Sequence, residues 1–321
     1  MKFLNIFFLF TLIAYLSTVT PIKETNEYPG VATGALHVTT SSTHVASCNN
    51  ERISFVFKNF IEGCSGWAAK TLNQNQYIIA ASPVLRYFNR IETLGRVEGS
   101  QFVTTYRVEY TKDGLNWKIL GTFSGNSNPA SVVSNKFDTP LLALAIRIHP
   151  LTWSNYISMK IEVYVTDSSE TPVAANSTDR VPAIQNGFAK VFSNNLLNME
   201  HGTHLIRLDY KEPGVQASCV LATPGNYFIV STGIPQRWVA IATQGRGDAV
   251  QYLKTYTVDY TVNGRDWLSV KNGQIFDGNT NNTDIVTYDF DAPIVALSIR
   301  VTPREYLGYP CTRMELYYTL G

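Results

Sequence analysis

GRVEGSQFVTTYRVEYTKDGLNW occupies Gly95–Trp117, and a second version, GRGDAVQYLKTYTVDYTVNGRDW, occupies Gly245–Trp267. The two copies are offset by 150 residues (245 − 95 = 150). A later pair, FDTPLLALAIRIHP (Phe137–Pro150) and FDAPIVALSIRVTP (Phe290–Pro303), is offset by 153 (290 − 137 = 153). Two anchors repeated at nearly one spacing indicate a duplicated domain. A chain of 321 residues is also long enough for about two domains.

Strand and turn signals dominate both copies. In FVTTYRVEYT (Phe102–Thr111) the residues alternate between two faces, as in a half-buried antiparallel strand. Asp113-Gly114 and Asn263-Gly264 are hairpin-turn dipeptides. Short strands of this kind recur along the chain, and no segment longer than a turn or two has helical periodicity. The sequence therefore predicts an all-β protein with two tandem domains, each a small sandwich or barrel.

Composition shifts suggest where the domains begin and end. TDSSETPVAANSTDRVP (Thr166–Pro182) is rich in Ser, Thr, Pro and Asp, which is typical of a linker. We expect an N-terminal arm over residues 21–35, domain one over 36–166, a linker over 167–185 and domain two over 186–320.

The first 20 residues, MKFLNIFFLFTLIAYLSTVT, have the pattern of a secretory signal peptide: an early Lys2, an apolar run, then small residues. The alternative is a retained anchor helix, but the apolar run is shorter than the roughly 20 residues that a membrane span needs. We expect a cleaved signal over residues 1–20 and a secreted, extracellular protein.

Cysteine usage and sequons agree with export. Four cysteines without metal-ligand spacing suit an oxidising compartment. One disulfide per domain predicts Cys48–Cys64 and Cys219–Cys311, and four free buried thiols are the alternative. Asn176 and Asn281 stand in Asn-x-Thr/Ser tripeptides and are predicted glycosylation sites.

Charge and motif content exclude several function classes. Lys+Arg 26 against Asp+Glu 25 lacks the clustered basic excess of a nucleic-acid-binding protein. His201 and His204 form H-x-x-H without acidic or cysteine partners, so a chance pair is favoured over a metal site. No Ser-His-Asp or Cys-His arrangement has a supporting context such as a nucleophile elbow. The sequence does not exclude a paired-carboxylate glycosidase, because such acids need not be close along the chain, but nothing in it indicates one. We expect a non-enzymatic protein without a cofactor.

The order of several motifs resembles the discoidin domain, also called the coagulation factor V/VIII type C domain. These are the GR turn, the Y-x-V-x-Y strand, the D-G-x-x-W turn, the F-D-x-P corner and the R-I-x-P run, over about Leu36–Val165 and Asn186–Thr319. HPLTWSNYIS (His149–Ser158) and ATQGRGDAVQY (Ala242–Tyr252) look like the slime-mould discoidin lectins. Those lectins carry a different second β domain, whereas here another discoidin module takes its place.

The resemblance implies a jelly-roll-like β-sandwich in each half. It also implies a ligand surface on loops at one end, for a carbohydrate or a phospholipid headgroup, and in some members a nearby structural calcium ion. In domain two, Ala217 is expected to take the place of Trp67, and Tyr306 that of Trp153.

Transferred onto this chain, the family's loops give a set of candidate ligand residues with hydrogen-bonding or aromatic side chains. They are Asn49, Asn50, Arg52, Trp67, Asn75, Arg96, Glu98 and Gln101 in domain one, and Arg246, Asp248, Gln251 and Tyr252 in domain two. Arg96 and Arg246 have a structural alternative, in which each ties its own loop together. For Trp67, Trp117 and Trp267, packing in the core is favoured.

Arg246-Gly247-Asp248 is also a tripeptide that some adhesion receptors recognise, with Arg and Asp extending in opposite directions. A tight loop that needs Gly247 is the favoured interpretation.

These features predict a secreted carbohydrate-binding protein of cell adhesion. Its partners would be cell-surface or matrix glycans of the galactose or N-acetylgalactosamine type. The alternative is an extracellular structural module that binds a protein partner such as an adhesion receptor. Anionic phospholipid binding ranks third, because the loops of domain one are polar rather than apolar.

Overall fold

The structure is a computed structural model that describes residues 27–44, 53–54, 65–172, 178–211 and 213–320. Several predicted features lie outside the described residues. They are the signal over residues 1–20, the Cys48–Cys64 pair, Asn49, Asn50, Arg52 and Asn176. Among the described residues, no helix has the length and apolar character needed to cross a membrane.

The prediction of an all-β chain with two similar halves is confirmed, and we call the halves module one and module two. The described strands of module one are β1 (Tyr28–Pro29), β2 (His37–Thr40), β3 (Trp67–Ala68), β4 (Ile78–Leu94), β5 (Phe102–Thr111), β6 (Lys118–Ser124), β7 (Val133–Ser154) and β8 (Ser158–Asp167). Those of module two are β9 (Val181–Pro182), β10 (Lys190–Ser193), β11 (Ser218–Cys219), β12 (Phe228–Gln244), β13 (Tyr252–Thr261), β14 (Leu268–Ser269), β15 (Ile275–Asp277), β16 (Val286–Leu307) and β17 (Cys311–Thr319). The described helical segments are 3-10 turns of three residues each, at Val97–Gly99, Met199–His201, Thr203–Leu205 and Val270–Asn272.

Both modules have the same strand order. The shared order is β8-β4-β7-β5-β6 in module one and β17-β12-β16-β13-β14 in module two, and these described pairs are all antiparallel. The long strands β4 and β7 break register between Ala81 and Arg86 and between Phe88 and Arg90. Such irregularities bend a strand, so one strand contributes to both layers of the sandwich around a core that includes Phe88, Tyr106 and Ile146.

The ends of the modules differ from the sequence-based boundaries. Tyr28 and Pro29 pair with Val165 and Tyr164, so the expected arm contains a strand of module one. Val181 and Pro182 pair with Tyr318 and Tyr317 of β17, so part of the expected linker belongs to module two.

A buried glutamate fixes each of these segments. Glu162 accepts hydrogen bonds from the backbone N–H groups of Val31 and Ala32, at 2.8 and 3.1 Å. Glu315 accepts from the N–H groups of Ile184 and Gln185, at 2.7 and 2.8 Å.

The tryptophan of each repeated turn belongs to a framework. The guanidinium carbon of Arg147 lies 4.3 Å from the ring centre of Trp117, and that of Arg300 lies 4.4 Å from Trp267. Each arginine also bonds a strand carboxylate, Glu109 or Asp259. Because Arg147 and Arg300 are themselves repeat partners, this stacked arrangement explains why both copies keep an arginine and a tryptophan.

Trp67 is a core residue, so the favoured interpretation is confirmed and its candidate ligand role is wrong. Its side chain is fully buried, and its indole N–H donates to the carbonyl of Ser42 at 2.7 Å. The expected alignment with Ala217 is also off by one position. Trp67 pairs with Met159, and Ser218 pairs with Thr312, which is the repeat partner of Met159.

The two modules share a packed boundary. The Gly114 turn of module one lies against Val181 and Phe188, and the Asn186 side chain donates to the Gly114 carbonyl. Phe188 is fully buried in a cluster that also contains Ile79 of module one. Because apolar side chains from both modules form one cluster, the modules pack as a unit.

Candidate functional site

Each Gly-Arg stretch forms a tight loop at the end of the sandwich where β5 or β13 begins. Arg96 and Gln101 pair through their backbones, with N···O distances of 2.7 and 3.0 Å, and the Arg246 N–H donates to the Gln251 carbonyl at 2.8 Å. The glycine before each arginine has no room for a side chain. A Cβ on Gly95 would lie 2.7 Å from Pro129 Cα, and one on Gly245 would lie 2.5 Å from Asn282 Cα.

In module one the loop side chains form a connected polar group. Arg96 Nε donates to Glu98 Oε1 at 3.1 Å, and Arg96 Nη1 donates to Gln101 Oε1 at 3.4 Å. Ser65 donates to Glu98 through both its N–H and its hydroxyl, at 2.7 Å each. Ser158 Oγ donates to Gln101 Oε1 at 3.0 Å. The structure therefore brings the three predicted loop residues together and adds two serines.

Module two repeats this group with more partners. Arg246 Nε and Nη2 donate to the two carboxylate oxygens of Asp248 at 2.8 and 2.7 Å, and Nη1 donates to Gln251 Oε1 at 3.0 Å. Arg246 Nη1 also lies 3.1 Å from His201 Nε2, and His201 Nδ1 lies 2.7 Å from Asn198 Oδ1. An imidazole that donates from Nδ1 to Asn198 and accepts at Nε2 from Arg246 satisfies both contacts in its neutral form. We call the Arg96–Glu98–Gln101 and Arg246–Asp248–Gln251 groups the arginine platforms.

The electrostatics keep the platform acids ionised. Burial alone would raise the pKa of Glu98, but hydrogen bonds from Ser65 and Arg96 outweigh it and lower the pKa. The same balance lowers the pKa of Asp248, with Arg246 and the Gln216 N–H as donors. Burial, and then the charge of Arg246, lower the pKa of His201, which agrees with the neutral ring. At neutral pH each platform thus pairs a fixed cation with a fixed anion.

The Arg246-Gly247-Asp248 tripeptide is closed on itself. Its arginine and aspartate bind each other rather than extending in opposite directions. A Cβ on Gly247 would lie 2.2 Å from the Gln216 side-chain oxygen, so a larger residue here would have to displace that side chain. The tight-loop interpretation accounts for the motif.

Two other predicted residues do not belong to the platforms. Tyr252 is only 8% exposed and packs against Gly245, so it supports the loop, and its ligand role stays a prediction. Asn75 is exposed, but it lies beside the module boundary.

Sequence reasoning missed an aromatic residue next to each platform. Asn155 (φ 58°) and Gly308 (φ 70°) turn left-handed between the last two strands of their modules, and Tyr156 and Tyr309 follow them. Asn155 donates to the carbonyl of Ser100 in the arginine loop at 2.9 Å. Tyr309 is 43% exposed. The sequence could have identified them, because both tyrosines follow a turn residue and occupy corresponding positions in the two repeats.

The loop end of module two exposes more apolar surface than that of module one. Val250, Leu307, Tyr309 and Leu221 are all exposed there. In module one, Ser100, Ser154 and Tyr156 take the places of Val250, Leu307 and Tyr309, so these positions are more polar, and Val97 is the exposed apolar residue of its arginine loop.

The predicted disulfide Cys219–Cys311 is confirmed and joins β11 to β17 at directly paired positions. Gln251 Oε1 lies 3.3 Å from the Cys311 sulfur, so the bridge supports the platform. No group of three or more His, Cys, Asp or Glu side chains suited to a metal ion occurs among the described residues. A structural calcium ion held by them would depend on carbonyl or amide oxygens, and its presence stays a prediction.

The chain is similar to several known proteins. It is 32% identical to discoidin-2 of Dictyostelium discoideum over 155 residues, which is 47% of this chain and 57% of that protein. It is 26% identical to neuropilin-1 of Gallus gallus over 313 residues, covering 90% of this chain and 33% of that protein. A solved structure of recombinant discoidin II of Dictyostelium discoideum aligns with a TM-score of 0.43 and 19% identity, covering 92% of this chain and 100% of that one.

The match to discoidin-2 spans little more than half of that protein's length. The family model of the F5/8 type C domain matches residues 37–163 and 200–316, one stretch in each module. The two stretches include both arginine platforms and both stacked tryptophans. The chain therefore belongs to the F5/8 type C domain family.

Proposed function

We propose that the chain is a secreted carbohydrate-binding protein of cell adhesion, and that each module binds a glycan at its arginine platform. The observation that carries the proposal is the repetition of one polar arrangement at the same end of both modules. The glycans we propose are cell-surface or matrix glycans of the galactose or N-acetylgalactosamine type. Belonging to a family with lectin members supports this class of ligand.

The chemistry of the platforms suits hydroxyl groups. Sugar hydroxyls both donate and accept, so an ionised carboxylate beside a guanidinium and an amide offers complementary partners. The partly exposed acids Glu98 and Asp248 supply acceptors that neighbouring donors already orient. In module two, the exposed ring of Tyr309 supplies an apolar face for one side of a sugar.

Two platforms on one packed unit favour clustered ligands. Each site alone would bind weakly, but the second binding event becomes intramolecular when both sites reach the same surface. This arrangement suits adhesion to a cell surface or matrix, where glycans are dense.

A glycan array with the full protein tests the proposal, alongside Arg96→Ala, Arg246→Ala and Tyr309→Ala. Because both arginines brace their loops, the melting temperature of each variant must be measured too. Tyr309→Ala is the cleaner probe, since its side chain is exposed. Ile119→Ala, at an exposed residue of the edge strand β6, is the matched control. Loss of glycan signal at an unchanged melting temperature supports the proposal, and absence of binding by the unmodified protein to every glycan contradicts it.

The apolar rim of module two favours a second candidate, binding to an anionic phospholipid surface. Exposed Val250, Leu307 and Tyr309 could enter the headgroup region. Pelleting with phosphatidylserine vesicles tests this, with Val250→Ser as the variant and neutral vesicles as the control. Repeating the melting measurement with a chelator tests the proposed calcium ion, because removal of a bound ion lowers the melting temperature.

A further inference from the structure

A polar cleft lies between the modules, apart from the arginine platforms. We define it by Asn75 and Tyr77 of module one and Gln185, Arg207, Asp209 and Lys211 of module two, and its volume is about 330 Å³. Small-molecule sites begin at roughly 300 Å³. The cleft therefore suits a small ligand such as one sugar residue.

Arg207 forms the fixed wall of the cleft. Its side chain crosses the module boundary, where Nη2 donates to the Ser41 carbonyl at 2.5 Å and Nη1 donates to the Tyr77 hydroxyl at 3.4 Å. Gln185 Nε2 donates to the same hydroxyl at 3.2 Å. Both acceptors belong to module one, so the docking of the modules sets the position of the guanidinium.

Among the described residues, the charge of Arg207 lacks a counter-charge. Arg207 is only 5% exposed, and no carboxylate oxygen of a described residue lies within 4.0 Å of its guanidinium nitrogens, the distance limit of an ion pair. A guanidinium carries more N–H donors than the Ser41 carbonyl and the Tyr77 hydroxyl occupy. Burying an unpaired charge is costly. An anion bound in the cleft would supply the missing partner, and the exposed Lys211 at its rim adds a second positive charge.

The opposite side of the cleft offers partners for hydroxyl groups. Asp209 is exposed, and its backbone has a φ of 54°, a region that residues other than glycine seldom adopt. Gln244 holds it there by accepting from the Asp209 N–H at 2.8 Å and donating to Oδ1 at 3.1 Å. Oδ2 accepts no hydrogen bond from any described residue. The exposed Asn75 side chain adds an amide donor and acceptor.

We infer that the polar cleft binds a carboxylate-bearing sugar residue. The sugar carboxylate pairs with Arg207 and Lys211, and the sugar hydroxyls bond Asp209 and Asn75. A neutral sugar would leave the charge of Arg207 without a counter-charge among the described residues, although Arg207 keeps its bonds to Ser41 and Tyr77. A ligand with charge alone would meet repulsion from Asp209 without hydroxyls to offset it. This inference rests on the proposed glycan function and adds an acidic specificity that the arginine platforms do not have.

Galactose and galacturonic acid form the matched pair of probes, because they differ only in a hydroxymethyl group and a carboxylate at C6. We expect calorimetry with the full protein to give binding of galacturonic acid about tenfold tighter than that of galactose. Acetate is the third probe, and it should not compete. Equal affinity for the two sugars overturns the inference. If acetate at the same concentration as galacturonic acid displaces it, the cleft recognises a carboxylate alone, and the assignment of a sugar ligand is wrong.

Variants locate the site. Lys211→Ala should weaken galacturonic acid binding about fivefold, as expected for a partly exposed charge pair, and should leave galactose binding unchanged. Asp209→Asn tolerates the left-handed backbone and should strengthen binding of the acid. Lys254→Ala, at an exposed lysine of β13, is the control. Unchanged galacturonic acid binding in Lys211→Ala would contradict the cleft as the binding site. It would not bear on the arginine platforms. Reduced galactose binding in Arg246→Ala, with galacturonic acid binding retained, separates the cleft from the platform of module two.

Discussion

The two hairpin turns of the repeat have the same local structure and different surroundings. Gly114 and Gly264 adopt φ values of 75° and 76°, and the hydroxyl of Thr111 or Thr261 accepts from the glycine N–H in each. Around Gly114 the turn is buried against Val181 and Phe188, whereas a Cβ on Gly264 would meet, among the described residues, only Leu297, at 3.7 Å. Local sequence therefore builds the turn, and tertiary context turns one copy into a docking element.

Removing the aromatic anchor of the docked turn should have the largest effect. Phe188→Ala deletes a fully buried ring at the module boundary, and such truncations cost about 3–5 kcal/mol of unfolding free energy. Calorimetry should then resolve two separate transitions, because the modules lose their shared cluster. Phe192→Ala is the control, since Phe192 is 52% exposed and close by in the chain. A single unshifted transition for Phe188→Ala would contradict the docking role.

The glycines themselves give a smaller, paired test. Alanine at either position has a left-handed backbone, which costs about 1–2 kcal/mol. Gly114→Ala would also bring its Cβ to 2.6 Å from Val181 Cγ1, and such overpacking adds about 1–3 kcal/mol. Urea denaturation should therefore show Gly114→Ala as the more destabilised variant. Equal losses of unfolding free energy in the two variants would mean that the module boundary accommodates the added methyl group without destabilisation.

Acid should weaken the boundary through two histidines. His37 and His204 line a cavity of about 590 Å³ between the modules. Burial, followed by nearby Lys190, lowers the pKa of His37 to about 4, and burial, followed by Arg207, lowers that of His204 to about 4. The unfolded chain, with a histidine pKa of 6.5, binds more protons between pH 6.5 and 4. The contribution of these two neutral histidines to stability is therefore fully present above pH 6.5 and is lost as the pH falls toward 4.

His204→Gln isolates this effect from titrating carboxylates. From pH 7 to pH 5 the unfolding free energy of the unmodified protein should fall by about 2 kcal/mol more than that of the variant. Its melting temperature should fall more steeply over the same range. Parallel pH profiles would show that His204 does not titrate with unfolding.

The smallest effects should come from the stacked arginines, and they should be alike. Arg147→Lys and Arg300→Lys each lose the planar stack on Trp117 or Trp267 and part of the bond to the strand carboxylate. We expect losses of about 1 kcal/mol in each module by chemical denaturation. Tyr77 lies beside Arg147 and accepts a hydrogen bond from Gln185 at the module boundary. Unequal losses of unfolding free energy would therefore show that the boundary also stabilises the stacked arginine of module one.

The candidate site was predictable in part. The repeat singled out Arg96 and Arg246 with their acid and glutamine, because residues that recur at a fixed spacing mark a shared local structure. Periodicity did not show that Tyr252 is largely buried, since an aromatic side chain near a loop can pack inward or outward. Partners distant in the chain, such as Ser65 and His201, became visible only when the strands were paired.

By itself, the sequence determined the all-β class, the duplication and the turns at Gly114 and Gly264, and it favoured the Cys219–Cys311 pairing over free thiols. These follow from short-range patterns, such as alternation and turn chemistry, and from residue spacing. The tertiary structure alone decided that the turn at Gly114 is buried while its copy at Gly264 is exposed, that Arg207 is buried without a counter-charge among the described residues, and that the Arg246 and Asp248 side chains bind each other. The first two depend on which surfaces the folded modules bring together, and neither module's pattern encodes that packing separately. The third depends on how one loop of module two folds, because Arg246 and Asp248 lie in the same loop.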